Sequence, residues 1–165
     1  MERILSKKAK KIKVVLLDVD GVLTDGELLY SETGEALKRF STRDGLGITL
    51  LRKIGIVLGI VSGRDSNIVA YRAKELAINH LYQGVSDKLK VVTSLIEELR
   101  LNWDQVAYMG DDLIDIEVLK KVGLSACPCD AIDQVINICD FVSAKPGGKG
   151  AVREFADLVL QNFEN

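Results

Sequence analysis

Residues 14–17, Val-Val-Leu-Leu, form an apolar run that stops abruptly at Asp18-Val19-Asp20-Gly21. The run is too short for an ordinary helix and reads as a buried parallel strand. Along an extended chain, Asp18 and Asp20 would point the same way. Two carboxylates held that close repel unless a cation joins them or one takes a proton. Keeping Asp-x-Asp-Gly at a strand tip for structure alone is costly. Its natural use is a divalent metal with acid–base work at the carboxyl end of a sheet, where open α/β folds bind ligands.

Strand and helix signals then alternate along the whole chain. Strands are predicted at residues 14–18, 56–61, 80–82, 105–109, 124–127 and 141–142. Helices are predicted at residues 44–53 with Asp44 as cap, 65–76, 86–100, 112–121 and 150–163. Two strand-like pieces, residues 27–30 and 37–41, flank a turn with Gly34 and read as a β-hairpin. This order gives an α/β fold: a Rossmann-like, doubly wound, mainly parallel sheet with a protruding β-hairpin. With 165 residues, 47% of them hydrophobic, the expected organisation is a single domain over residues 1–165.

A net charge of −2 argues against a nucleic-acid partner. No apolar run is long enough to span a membrane, and no secretory leader is legible, so the cytoplasm is the expected compartment. The basic run over residues 7–13 reads as the solvated end of a leading helix, with a nuclear or anion-binding patch as the alternative. Cys127, Cys129 and Cys139 are odd in number and lack zinc-site spacing, which predicts reduced core thiols. The only histidine, His80, and the only tryptophan, Trp103, are expected to be structural.

Four predicted strand ends carry residues unsuited to a core and suited to phosphoryl transfer. The first has Asp18 and Asp20; the second has Ser62-Gly63-Arg64; Lys88 opens the helix after the third; the fourth has Gly110-Asp111-Asp112, with Asp115 one turn on. Magnesium takes one or two carboxylates, waters and a substrate phosphate. Asp18, the main-chain carbonyl of Asp20, and Asp111 can supply its oxygens. Asp18 can then attack phosphorus, while Asp20 protonates the leaving alcohol and later activates water. Ser62, the Gly63 amide and Lys88 would hold the phosphoryl oxygens. Asp112 and Asp115 would orient waters on the metal or pair with Lys88; the bland alternative is acids at a helix N-terminus.

These four motifs resemble those of the haloacid dehalogenase superfamily of aspartyl-nucleophile phosphatases. A closer likeness rests on residues 31–35, 40–45, 80–84 and 145–154. They resemble the 3-deoxy-D-manno-octulosonate 8-phosphate phosphatase family, which makes a sugar acid for lipopolysaccharide. The resemblance implies a magnesium-dependent phosphomonoesterase, a homotetramer, and substrate contacts at Thr42, Arg43, Asp44, Gly45, Arg64, Arg72 and Lys88. Arginine suits the substrate's carboxylate through paired donors. Arg64 and Arg72 would share a helix face if that helix begins early. The chain between Asp20 and Ser62, and between Ser62 and Lys88, is too short for a cap domain. The hairpin, residues 27–41, is therefore expected to cover a neighbouring subunit's site. Residues 145–150 read as a lead into the last helix or as a mobile flap. Alternatives are a nonulosonate (KDN or sialic acid) 9-phosphate as substrate, or an inactive oligomerisation module. A receiver-type signalling domain would lack Asp20.

Overall fold

The structure is a computed structural model that describes residues 2–163. Helix α1 (Glu2–Ala9) leads into strand β1 (Val14–Leu17). A hairpin follows, β2 (Leu29–Ser31) and β3 (Gly34–Leu37), and then α2 (Thr42–Lys53). The chain continues with β4 (Val57–Val61), α3 (Asn67–Glu75), β5 (His80–Tyr82), α4 (Lys88–Glu98) and β6 (Val106–Met109). It closes with α5 (Ile116–Leu119), β7 (Leu124–Cys127), α6 (Asp133–Ile136), β8 (Phe141–Val142) and α7 (Ala151–Asn162). Single 3₁₀ turns at Trp103–Gln105 and Leu113–Asp115 precede β6 and α5.

Six strands form one parallel sheet in the order β5-β4-β1-β6-β7-β8, and β2-β3 make a separate antiparallel pair. The pleat explains why the central strands are continuously apolar. Val15 and Leu17 of β1, with Ala107 and Met109 of β6, join the core that includes Ile48 of α2 and Phe155 of α7. Val14 and Leu16, with Val106 and Tyr108, face the opposite core, which includes Val92 and Leu95 of α4 and Val118 of α5. Both faces are covered, as a parallel sheet requires. Each fully buried Leu or Phe contributes about 1.5–3 kcal/mol. Gly47 lets α2 and α7 pack closely, since a Cβ there would lie 3.0 Å from the Cβ of Ala156.

In the parallel register, Leu17 pairs with Ile60 of β4 and with Met109 of β6. The next residues along those three strands are therefore brought to one edge: Asp18, Val61-Ser62 and Gly110-Asp111. Sequence position becomes a site through this register alone.

Several local expectations are corrected. The cap of α2 is Ser41, whose Oγ accepts from the N–H groups of Arg43 and Asp44, while Asp44 lies inside the helix. The hairpin turns earlier and is narrower than predicted. Ser31 Oγ donates to the Gly34 carbonyl at 3.3 Å, and Gly34 takes φ +116°, closing the turn before residue 35. The predicted helix at 112–121 is a 3₁₀ turn plus the short α5, because Asp115 turns back to its own loop. Because α3 starts at Asn67, Arg64 stays in the preceding loop and shares no helix face with Arg72. Residues 145–150 pack against the loop after β1. A Cβ on Gly147 would lie 1.9 Å from the Gly21 carbonyl oxygen, and the Gly148 N–H donates to the Val22 carbonyl at 2.9 Å. Helix α6 had no clear sequence signal.

Candidate active site

Alternation carries Asp18 to the face covered by α4. There, Lys88 opens that helix behind its cap, Asp87, which accepts from the Lys90 N–H at 2.9 Å. Lys88 Nζ reaches Asp18 Oδ2 at 2.7 Å and Asp115 Oδ1 at 2.8 Å. All three side chains are buried. Asp18 Oδ1 accepts from the Val19 N–H at 2.7 Å. Asp115 is fully committed. Its Oδ1 also accepts from the Tyr108 hydroxyl at 2.6 Å, and its Oδ2 accepts from the N–H groups of Asp111 and Asp112. Of the roles predicted for Asp115, pairing with Lys88 is the one the geometry bears out. Asp112 caps the 3₁₀ turn through the Leu113 N–H and reaches the cleft at its rim.

Asp111 differs from its neighbours. Among the described residues no donor is bonded to its carboxylate, and it opens into a cleft of about 210 Å³. That cleft is lined by Asp18, Asp20, Ser62, Gly63, Arg64 and Asp111, with Ile114 on one wall. Burial, then the charges of Asp18 and Asp115, push the Asp111 carboxyl up to about 8. Burial, then the Asp115 charge, raises Asp18 to about 7 against the pull of Lys88. The like charge that raises Asp18 most is Asp115, and the expected repulsion from Asp20 is not the main cause. The chain leaves strand geometry after Leu17, so Asp20 turns toward the cleft mouth.

Oxygen atoms of Asp18, Asp111 and Asp115 come within 4.8 Å of one another. One ammonium faces three carboxylates, so the floor is short of positive charge. A divalent cation fits that deficit and fits the hard oxygen donors. With Asp115 spent on Lys88, Tyr108 and two amides, the available carboxylates are Asp18 and Asp111. Two glycines make the floor possible. Gly21 has φ +83°, and a Cβ on it would lie 1.9 Å from Asp111 Oδ2. A Cβ on Gly110 would lie 2.4 Å from the Asp115 carboxyl carbon.

At the mouth, Asp20 Oδ1 accepts from Lys38, and its Oδ2 lies 3.8 Å from Arg64 Nε. Lys38, whose side chain is 1% exposed, also reaches Glu35 Oε1 at 3.1 Å. Burial disfavours the Lys38 charge, but Asp20 and Glu35 outweigh it and hold the ammonium above its ordinary range. Glu35 accepts from Ser66 Oγ, and Arg64 donates to the Tyr30 hydroxyl. The hairpin is therefore tied to its own chain's site. Sequence reasoning missed Lys38, Glu35, Tyr30 and Tyr108. The first three come from a stretch whose spacing signalled only a hairpin, and Tyr108 looked like an ordinary strand residue.

The remaining predicted contacts do not line this cleft. Asp44 accepts from the N–H groups of Gly150 at 3.2 Å and Arg153 at 2.8 Å, at the start of α7. Arg72 Nη2 donates to the Ser41 carbonyl, Nη1 pairs with Glu75 at 2.7 Å, and the guanidinium lies over the Phe40 ring. Gly45 is the residue that leaves room for Arg72, whose Nη2 a Cβ there would meet at 2.4 Å. Thr42 and Arg43 are exposed on the first turn of α2. His80 opens β5, at the end of the strand away from the cleft. A larger open groove of about 670 Å³ runs along β5 and α4, past Tyr82, Lys90, Ser94 and Glu98, and gathers none of the predicted residues.

Comparison with known proteins agrees with this geometry. The haloacid dehalogenase-like hydrolase family matches residues 67–155. The 3-deoxy-D-manno-octulosonate 8-phosphate phosphatase of Escherichia coli K12 is 46% identical over 153 residues, 93% of this chain and 81% of that protein. A crystal structure of a probable YrbI family phosphatase from Pseudomonas syringae superposes with a TM-score of 0.95 at 45% identity, covering 97% of this chain and 91% of that one. The Moraxella catarrhalis 3-deoxy-D-manno-octulosonate 8-phosphate phosphatase, solved with magnesium, phosphate and KDO, superposes with a TM-score of 0.95 at 40% identity, covering 99% and 93%. The chain belongs to the haloacid dehalogenase-like hydrolases and, within them, to the 3-deoxy-D-manno-octulosonate 8-phosphate phosphatase family.

Proposed function

We propose that this protein hydrolyses 3-deoxy-D-manno-octulosonate 8-phosphate to the free sugar acid and inorganic phosphate, using Asp18 as nucleophile. The observation that carries the reading is Asp18 itself, at the tip of β1, held by Lys88 at 2.7 Å beside the open carboxylate of Asp111. A magnesium ion held by Asp18, Asp111 and the Asp20 main-chain carbonyl would supply positive charge to the phosphoryl oxygens.

The remaining work falls to the chain. Asp18 forms a bond to phosphorus as the ester oxygen departs, giving an aspartyl-phosphate. Asp20, at the cleft mouth, gives that oxygen its proton and then takes one from the water that cleaves the acyl phosphate. Ser62 and the Gly63 amide bind phosphoryl oxygens on the far wall, and Lys88 keeps Asp18 aimed. Arg64, which lines the cleft, would meet the sugar-acid carboxylate. Thr42 and Arg43, exposed at the start of α2, and the neighbouring Arg72 would serve the substrate only in an assembly, while the buried Asp44 and Gly45 would support them from behind. Residues 1–165 act as one phosphatase domain.

A tetramer is the assembly we infer. Leu28, Leu29, Tyr30 and Leu37 of the hairpin region are exposed apolar side chains that a second copy would bury. The compartment we infer is the cytoplasm. Its support is three free cysteines and the lack, among the described residues, of a helix long and apolar enough to cross a membrane.

The test is phosphate release from a panel of sugar phosphates, including the nonulosonate 9-phosphates, with magnesium and again with chelator. The reading predicts highest turnover on the octulosonate ester and loss with chelator. Preference for a nonulosonate ester, or no release from any ester, would overturn it.

A further inference from the structure

The side chain of Lys38 is almost wholly removed from water, although it leaves a largely exposed hairpin. An ammonium buried at a surface element needs partners, and it has two acids: Asp20, through Oδ1, and Glu35 at 3.1 Å. Glu35 in turn accepts from Ser66, the cap of α3. Ser66 lies just beyond the loop that carries Ser62 and Gly63. The hairpin thus bridges the two walls of the cleft, with Lys38 on one and Glu35 on the other. Among the described residues the other cation paired with Asp20 is Arg64, whose Nε is 3.8 Å from Oδ2, outside hydrogen-bond distance. One oxygen of Asp20 is anchored and the other is left open.

We propose that Lys38, itself held by Glu35, is a positioning residue that anchors Asp20 Oδ1 and leaves Oδ2 as the oxygen that exchanges protons with the leaving group and the attacking water. This rests on the function proposed above. Freed from Lys38, the Asp20 side chain would sample rotamers that point away from the ester oxygen. A misplacement of about 1 Å at such a group costs on the order of 10²-fold in rate. Substrate binding, set by the phosphate and carboxylate contacts, would change far less.

The experiment compares Lys38→Met, Lys38→Arg and Glu35→Gln with the wild type on the octulosonate ester with magnesium. Lys38→Met should lower kcat about 30- to 100-fold with KM changed less than about threefold, and Lys38→Arg should restore most of the loss. Glu35→Gln, which keeps the hairpin's shape, should lower kcat about threefold to tenfold. In an Asp20→Asn background, Lys38→Met should cost nothing further, because the group it positions is already disabled. Three results would each overturn the inference: an unchanged kcat in Lys38→Met, a loss confined to KM, or an undiminished loss in the Asp20→Asn background. An inactive wild type would instead sink the proposed function and this inference together. If Lys38→Met fails to fold, Glu35→Gln and Lys38→Arg decide the matter through the same kcat and KM comparison.

Discussion

The floor around Asp111 and the joint around Asp44 are built from the same materials. Each has an acid raised above its ordinary range, chiefly by burial, with arginine or lysine nearby and backbone amides within reach. They differ in where the carboxylate's bonds go. Both oxygens of Asp44 are filled by the N–H groups of Gly150 and Arg153, so the acid ties the start of α7 to α2. The Asp111 carboxylate receives no donor from the described residues and faces the cleft. A raised pKa alone therefore does not mark a reactive group. The distinguishing sign is a half-buried acid that opens into a cleft with its bonding capacity left for something else.

The sharpest way to break this contrast is at Asp18. Asp18→Asn keeps the side chain's size and removes the attacking oxygen, so turnover should fall by at least about 10⁴-fold while the circular dichroism spectrum is unchanged. Normal hydrolysis by that variant would reject the nucleophile. Lys88→Met tests the floor as a charge system. It leaves Asp18 and Asp115 buried without their cation, which should cost about 3–5 kcal/mol in a denaturant titration and lower turnover as well. A cost below about 1 kcal/mol would mean that the floor is wetter than its burial implies.

Metal and pH probe the same floor more gently. The raised Asp18 and Asp111 carboxyls favour the folded state while protonated. In chelator, their contribution is full below about pH 4 and is lost as pH rises through about 7 to 8. A cation binds the ionised form, so magnesium should raise Tm more at pH 8 than at pH 5.5. At a hundred times its Kd, the gain is about 2.7 kcal/mol. Differential scanning fluorimetry reads this directly. An equal magnesium shift at both pH values would show that these acids do not hold the metal, and Asp111→Asn should abolish the difference.

The sheet and the floor were legible because each signal was local and strong. Apolar runs such as Val57–Val61 stop at a polar residue, and parallel pairing must align such stops. Asp18, Asp20, Ser62, Lys88 and Asp111 could thus be picked out one strand end at a time. Lys38 could not, because its partner lies across a hairpin whose fold-back is set by tertiary contacts rather than by any period in the sequence. Asp44 and Arg72 illustrate the opposite problem. Their residue types suit a substrate carboxylate and its surroundings, but the same types also suit a helix joint. In the fold they make the joint, through Gly150, Arg153 and Ser41. The tight turn at Leu113–Asp115 reads as helix in the sequence because nothing local announces that Asp115 must fold back under Gly110.

Asp44 offers the smallest effect and the most discriminating one. If its work is to join α2 to α7, Asp44→Ala leaves two N–H groups at the start of α7 without acceptors and should cost about 1–3 kcal/mol. Asp44→Asn retains one acceptor oxygen and should recover part of that loss. The Asn amide brings donors of its own toward Gly150 and Arg153, so recovery should be incomplete. Hydrogen exchange would show the damage at its source, with faster exchange at Gly150, Arg153 and Glu154 and little change at Met109 or Leu17 in the central strands. Faster exchange across the whole sheet would mean that the joint supports the entire core. No change at α7 would mean that the carboxylate is free for a ligand, and the contrast with Asp111 would fail.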